Sequence, residues 1–175
     1  DTYHRTLVTE PIDRWMQINM TDEKKANISA YLNSKISGGR ENVNYNPDPI
    51  LDKETMLGEI GLDANKKIVS VFTNTLWDAQ VTYKSNIFEN MLDWLYETID
   101  YFISFPDIQL AVRIHPAESK AGFSTNQPII DEINKKYPSL PSNIFIIAAE
   151  SNVSSVLLAD LSSAAIIYAT KLGLE

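Results

Sequence analysis

The side chains best placed to do chemistry gather around His115, which stands two residues after Arg113 and directly before Pro116. The stretch from Ile108 to Glu118 reads IQLAVRIHPAE, mostly apolar and then basic, imidazole and proline. Bounded by Pro106 and Pro116, it suits a strand buried on both faces of a parallel sheet. Pro116 has no N–H for a ladder, so the strand stops short of it and His115 emerges at the exit. Ligands of open α/β sheets sit outside the carboxyl ends of the strands. An imidazole on that rim can hydrogen-bond a phosphate oxygen, and Arg113 stands beside it in sequence.

Four such exits are expected on one rim: Thr73-Asn74-Thr75, His115-Pro116, Ala149-Glu150-Ser151 and Thr170-Lys171-Leu172-Gly173. Asn74, Glu150, Ser151 and Thr170 supply hydrogen-bonding groups, and Lys171 supplies positive charge. Backbone N–H groups at the helix starts near 151–154 and 172–175 add a positive dipole end. Together these suit a phosphate or diphosphate. Glu175, one turn into the last helix, is placed to accept hydrogen bonds from ribose hydroxyls, as acidic groups do in dinucleotide sites. Each residue also has an ordinary reading: His115 as a capping or packing residue, Asn152 or Ser151 as a helix cap, Thr170 and Gly173 as turn residues, Trp94 as helix packing, and Lys135-Lys136 as a solvated helix end.

The elements that must position these groups alternate. Ile68–Thr73 (IVSVFT), Ile108–Ile114, Ile144–Ala148 and Ala164–Ala169 read as strands. Between them lie helices: Asn86–Ile103, expected to be the longest, with Ile87, Met91, Leu92, Leu95, Ile99 and Phe102 on one face; Asn126–Tyr137, stopped by Pro138; and Val153–Ala159. This order predicts an α/β fold, a Rossmann-like open parallel sheet with helices on both faces and right-handed crossovers. A helical and irregular N-terminal segment precedes it. There, residues 21–36 form a helix with Ile28, Tyr31, Leu32 and Ile36 on one stripe, capped by Thr21 or Asp22 and ended by Gly38-Gly39. Asp52 caps a second, short helix with Met56, Leu57 and Ile60 inward. The domain reading is 1–65 as linker and helical segment, the end of a preceding domain, and 66–175 as the Rossmann-like unit, cut at its end.

Composition bounds the function. The 175 residues carry a net charge of −8, and 44% are hydrophobic. A general nucleic-acid binder needs clustered Lys and Arg, so that class is set aside. Without cysteine, disulfide and thiolate-metal sites are excluded, and no metal or cofactor is expected. No apolar run reaches the roughly 20 residues of a membrane span, and no signal peptide opens the chain. The expected location is the cytoplasm, where a full-length protein can still associate peripherally with a membrane. No GxGxxG, GxxxxGK[ST] or G-x-S-x-G is present.

The segments VFTNTLWDAQ (71–80), RIHPAE (113–118), AES (149–151) and YATKLGLE (168–175) make roughly residues 66 to 175 similar to the nucleotide-binding domain of a GT-B glycosyltransferase. More narrowly, they resemble bacterial capsule and surface-polysaccharide biosynthesis proteins. The HP pair also resembles that of bacterial sialyltransferases, Kdo transferases and glycerophosphate transferases, which use CMP- or CDP-linked donors. The resemblance implies that His115, with Pro116, contacts the donor phosphate. It implies that Thr170, Gly173 and Glu175 carry phosphate and ribose contacts. The partners would be a nucleotide-sugar donor and a glycan acceptor, and the general base would come from an N-terminal domain outside this sequence. The fragment would then be inactive alone and a weak donor binder. Two other readings keep the architecture. One is a nucleotide-sugar 2-epimerase of GT-B form, needing cleft carboxylates such as Asp78, Glu118 or Glu150; the other is a non-catalytic flavodoxin-like binding domain.

Overall fold

The structure is a computed structural model that describes residues 16–36, 48–77, 88–120 and 125–168. The described residues include the helices and strands α1 (Asp22–Ile36), α2 (Lys53–Ile60), β1 (Lys67–Phe72), α3 (Met91–Ile103), β2 (Ile108–Arg113), α4 (Ile129–Lys136), β3 (Ile144–Ile147), α5 (Ser155–Leu161) and β4 (Ala164–Ile167). A short 3-10 turn, Pro116–Ser119, follows β2. The strands form one sheet in the order β3-β2-β1-β4, every pair parallel. The alternating α/β, Rossmann-like architecture read from the sequence is the one observed.

Strand alternation sends side chains to two layers. Val69, Val71, Leu110, Val112 and Ile144 meet Met91, Trp94, Leu95, Ile99 and Phe102 of α3 and Ile129 and Ile133 of α4. Ile68, Ala111 and Ile147 meet Met56 and Leu57 of α2, Val153, and Leu158 of α5. The segment before β1 is thus part of the sheet's own core, with Met56 fully buried.

Helix ends follow local chemistry. Asp52 caps α2 by accepting from the Thr55 N–H at 2.8 Å. Gly61 ends it at φ 85°, a left-handed conformation that glycine adopts without Cβ strain. Asn90 caps α3 by accepting from Asp93 at 2.9 Å, so α3 starts at Met91 and not at Asn86, and Ile87 lies outside the described residues. With 13 residues it is shorter than α1, which has 15. Thr21, not Asp22, caps α1 by accepting from the Lys24 N–H. The apolar stripe of α1 is about half open to solvent: Ile28, Tyr31 and Leu32 are 47%, 45% and 55% exposed. The Ile36 side chain and Gly38-Gly39 lie outside the described residues. Lys136 is not simply solvated, since it donates to Asp100 at 2.8 Å and sits 4.4 Å from the Tyr96 ring centroid, joining α4 to α3.

Candidate functional site

The chain runs from β1 to β2 to β3 on one side of β1, then returns to place β4 on the other. Loops leaving the carboxyl ends of β1 and β4 therefore diverge, which is the switch point where ligands of open α/β sheets sit. At the β1 exit, Thr73 and Thr75 are buried and Asn74 is half-buried. The Thr73 N–H donates to the Arg113 carbonyl, and the Thr73 hydroxyl accepts from the His115 N–H, both at 3.1 Å. These two bonds fix the His115 backbone beside the switch point. The sequence marked Thr73 only as part of an exit; its hydroxyl is what joins two exits across 42 residues.

His115 is half-buried and caps the 3-10 turn: its Nδ1 accepts from the Ala117 N–H at 3.1 Å. Pro116 fills the first position of that turn, where an N–H would have no acceptor. With Nδ1 acting as acceptor, the neutral imidazole carries its proton on Nε2, so that nitrogen is a donor. Asn74 is held by its neighbours: its Oδ1 accepts from the Thr75 N–H at 2.9 Å, and its own N–H approaches Met91 Sδ at 3.3 Å.

Arg113, Glu150 and Ser151 form a second unit. The Arg113 side chain is 1% exposed and points into the α2/α5 layer. It donates to the Ala148 carbonyl and, at 2.9 Å, to the Ser151 carbonyl. Burial pulls its pKa down to about 10, against the pull of the Glu150 charge, so it remains cationic at neutral pH. Its Nε has no partner among the described residues. Arg113 therefore acts on the rim through the turn it holds, residues 148–151. The Ser151 hydroxyl accepts from the Val153 N–H at 3.2 Å, and Glu150 is exposed. The cap of α5 is neither Ser151 nor Asn152 but Ser154, which accepts from the Leu157 N–H.

Glu118 stands out only in three dimensions. Its Oε2 accepts from the Ile129 N–H at 3.2 Å, capping α4, whose own N-cap residue is Pro128 and supplies no side-chain bond. Its Oε1 is buried with no partner among the described residues. Burial raises its pKa above the ordinary carboxyl value; the bond from Ile129 opposes this and the Glu150 charge adds to it. A carboxyl in sequence carries no sign of such burial.

The structure thus brings Thr73, His115 and Pro116 together, and separately Arg113 with Glu150 and Ser151. Thr170, Lys171, Gly173 and Glu175 lie outside the described residues, as does Asp78. Tyr168, the last described residue, is buried and packs on Trp94 with ring centroids 5.2 Å apart. Among the described residues there is no group of His, Asp or Glu that would hold a metal ion, and no helix is long and apolar enough to cross a membrane. Compared with family models, curated proteins and solved structures, the chain gives no match.

Proposed function

We propose that this chain is the donor-nucleotide-binding part of a GT-B type glycosyltransferase in capsule or surface-polysaccharide biosynthesis, using a CMP-, CDP- or UDP-linked donor without a metal. The observation that carries the reading is the bond from the His115 N–H to the Thr73 hydroxyl, which holds the His115 backbone beside the switch point at the carboxyl edge of a parallel sheet, while Nδ1 accepts from the Ala117 N–H. The resemblance of RIHPAE and of the closing YATKLGLE to that family supports it. In this reading an acceptor hydroxyl, deprotonated by a base from another domain, attacks the donor's anomeric carbon. The bond to the nucleotide phosphate breaks, and His115, Thr170 and Lys171 stabilise the charge developing on the departing phosphate. Pro116, Gly173 and the turn 149–151 shape the pocket, and Glu175 takes the ribose hydroxyls.

Amide NMR of the protein titrated with CMP, CDP and UDP tests this. Shifts are expected at 73–76, 115–117 and 149–153, with His115→Ala weakening the best ligand about tenfold, near the worth of one charge-assisted hydrogen bond. Unchanged affinity in a folded His115→Ala variant would leave only a non-catalytic α/β domain.

A further inference from the structure

Among the described residues, strand β3 closes one side of the sheet and pairs with β2 alone. The Leu110 N–H donates to the Asn143 carbonyl and the Ile114 N–H to the Ile147 carbonyl. A parallel ladder in that phase turns the main-chain groups of Phe145 and Ile147 toward β2 and those of Ile144 and Ile146 outward. The Ile144 N–H is taken by the Pro141 carbonyl, and the Ala148 carbonyl by Arg113 and the Ser151 N–H. Among the described residues the Ile144 carbonyl, both Ile146 groups and the Ala148 N–H are left without a partner, aligned along one edge. The strand is only four residues long, but it reads IFII, with no charge, proline or bulge to turn another strand away.

This edge lines a groove of about 370 Å³ that Glu59 and Ile60 of α2 and Val153 also line. Phe145 and Ile146 are half-buried and belong to opposite faces of the sheet, so a strand laid here meets apolar surface on both sides. Among the described residues of the lining, Glu59 alone carries a charge. A second copy would bring its own −8 net charge and another Glu59, so like charges oppose self-pairing.

We infer that the β3 edge is a docking site for an extended peptide segment of a partner protein, apolar and β-branched, with a Lys or Arg placed to meet Glu59. The segment adds a fifth strand: its main chain bonds to Ile144, Ile146 and Ala148, and side chains packing on Phe145 and Ile146 select it. This holds whether or not the chain binds nucleotide.

The test uses the full 175-residue chain and the acetylated, amidated peptide Lys-Val-Thr-Val-Tyr-Val. Without peptide, the Ile146 and Ala148 amides should exchange quickly and those of Phe145 and Ile147 slowly. With peptide, shifts should centre on residues 144–148 and 59–60, and exchange at Ile146 and Ala148 should slow. Glu59→Lys, an exposed substitution, should weaken this peptide about two- to fivefold and favour the version carrying Glu in place of Lys. The same peptide N-methylated at alternate residues should not bind. Shifts elsewhere, equal binding of the methylated peptide, indifference to the Glu59 charge, or β3 protection that grows with protein concentration, the mark of a second copy, would each overturn the proposal.

Discussion

Under α3 and α4 the sheet meets an almost wholly apolar layer, from Met91 and Leu95 to Ile129 and Ile133. Under α2 and α5 the same strands present fewer apolar groups and three buried polar ones. Gln109 exchanges two hydrogen bonds with the Asp63 main chain at the amino edge. Ser70 meets the Ser162 hydroxyl, and Arg113 clasps the turn 148–151 at the carboxyl edge. The first layer draws its stability from apolar area removed from water, which is non-directional. The second spends interior positions on directed bonds that set where loops go. Burial of a charge has a desolvation cost, so Arg113 is better explained by the placement of the rim than by stability.

That contrast is easiest to break in the apolar layer. Leu95 is fully buried, and Leu95→Ala is expected to cost about 2–5 kcal/mol through lost transfer energy and a residual cavity. Urea unfolding followed by tryptophan fluorescence should show a lower midpoint with one transition, and amide signals of the rim should not move before the global transition. In the polar layer, Arg113→Met removes the charge but leaves the Ser151 carbonyl without its donor, a loss of about 1–3 kcal/mol. Its distinguishing mark is local: faster amide exchange at 149–153 well below the denaturant concentration for unfolding. A purely global loss would mean that Arg113 is packing like its neighbours.

The smallest effect sharpens the contrast at Glu118, the carboxyl that reaches the apolar layer at Ile129. Its pKa is raised in the fold, so the native state holds this proton more tightly than the unfolded chain. Its contribution to stability is therefore fullest below about 4.5 and declines as pH rises through the folded value. Glu118→Gln keeps an oxygen for the Ile129 N–H and removes that decline. Relative to the parent, the variant should gain stability as pH rises from acid toward neutral, read from urea midpoints across pH. A difference that does not change with pH would place the Glu118 effect in packing alone.

Much of the architecture was readable because its signals are local. IVSVF is β-branched, α3 repeats apolar residues on one face, and proline brackets β2, so these elements declare themselves within a few residues. The same logic found α1 but not its surroundings: Ile28, Tyr31 and Leu32 share a stripe that is about half exposed, because a stripe shows that a face can be buried, not that another element covers it. It also misplaced the cap of α5, since Ser151, Asn152 and Ser154 are chemically equivalent as caps and only backbone geometry chooses.

By itself, then, the sequence determined the order and kind of the elements and the position of His115 at a strand end, because chain periodicity and the missing N–H of Pro116 act over a few bonds. Tertiary structure alone decided what the polar residues do. Arg113 finds its carbonyls 35 and 38 residues away, and Gln109 finds Asp63 across 46. Which donor meets which acceptor depends on strand register and on which neighbour the ladder brings alongside, and neither is written in the spacing of residues along the chain.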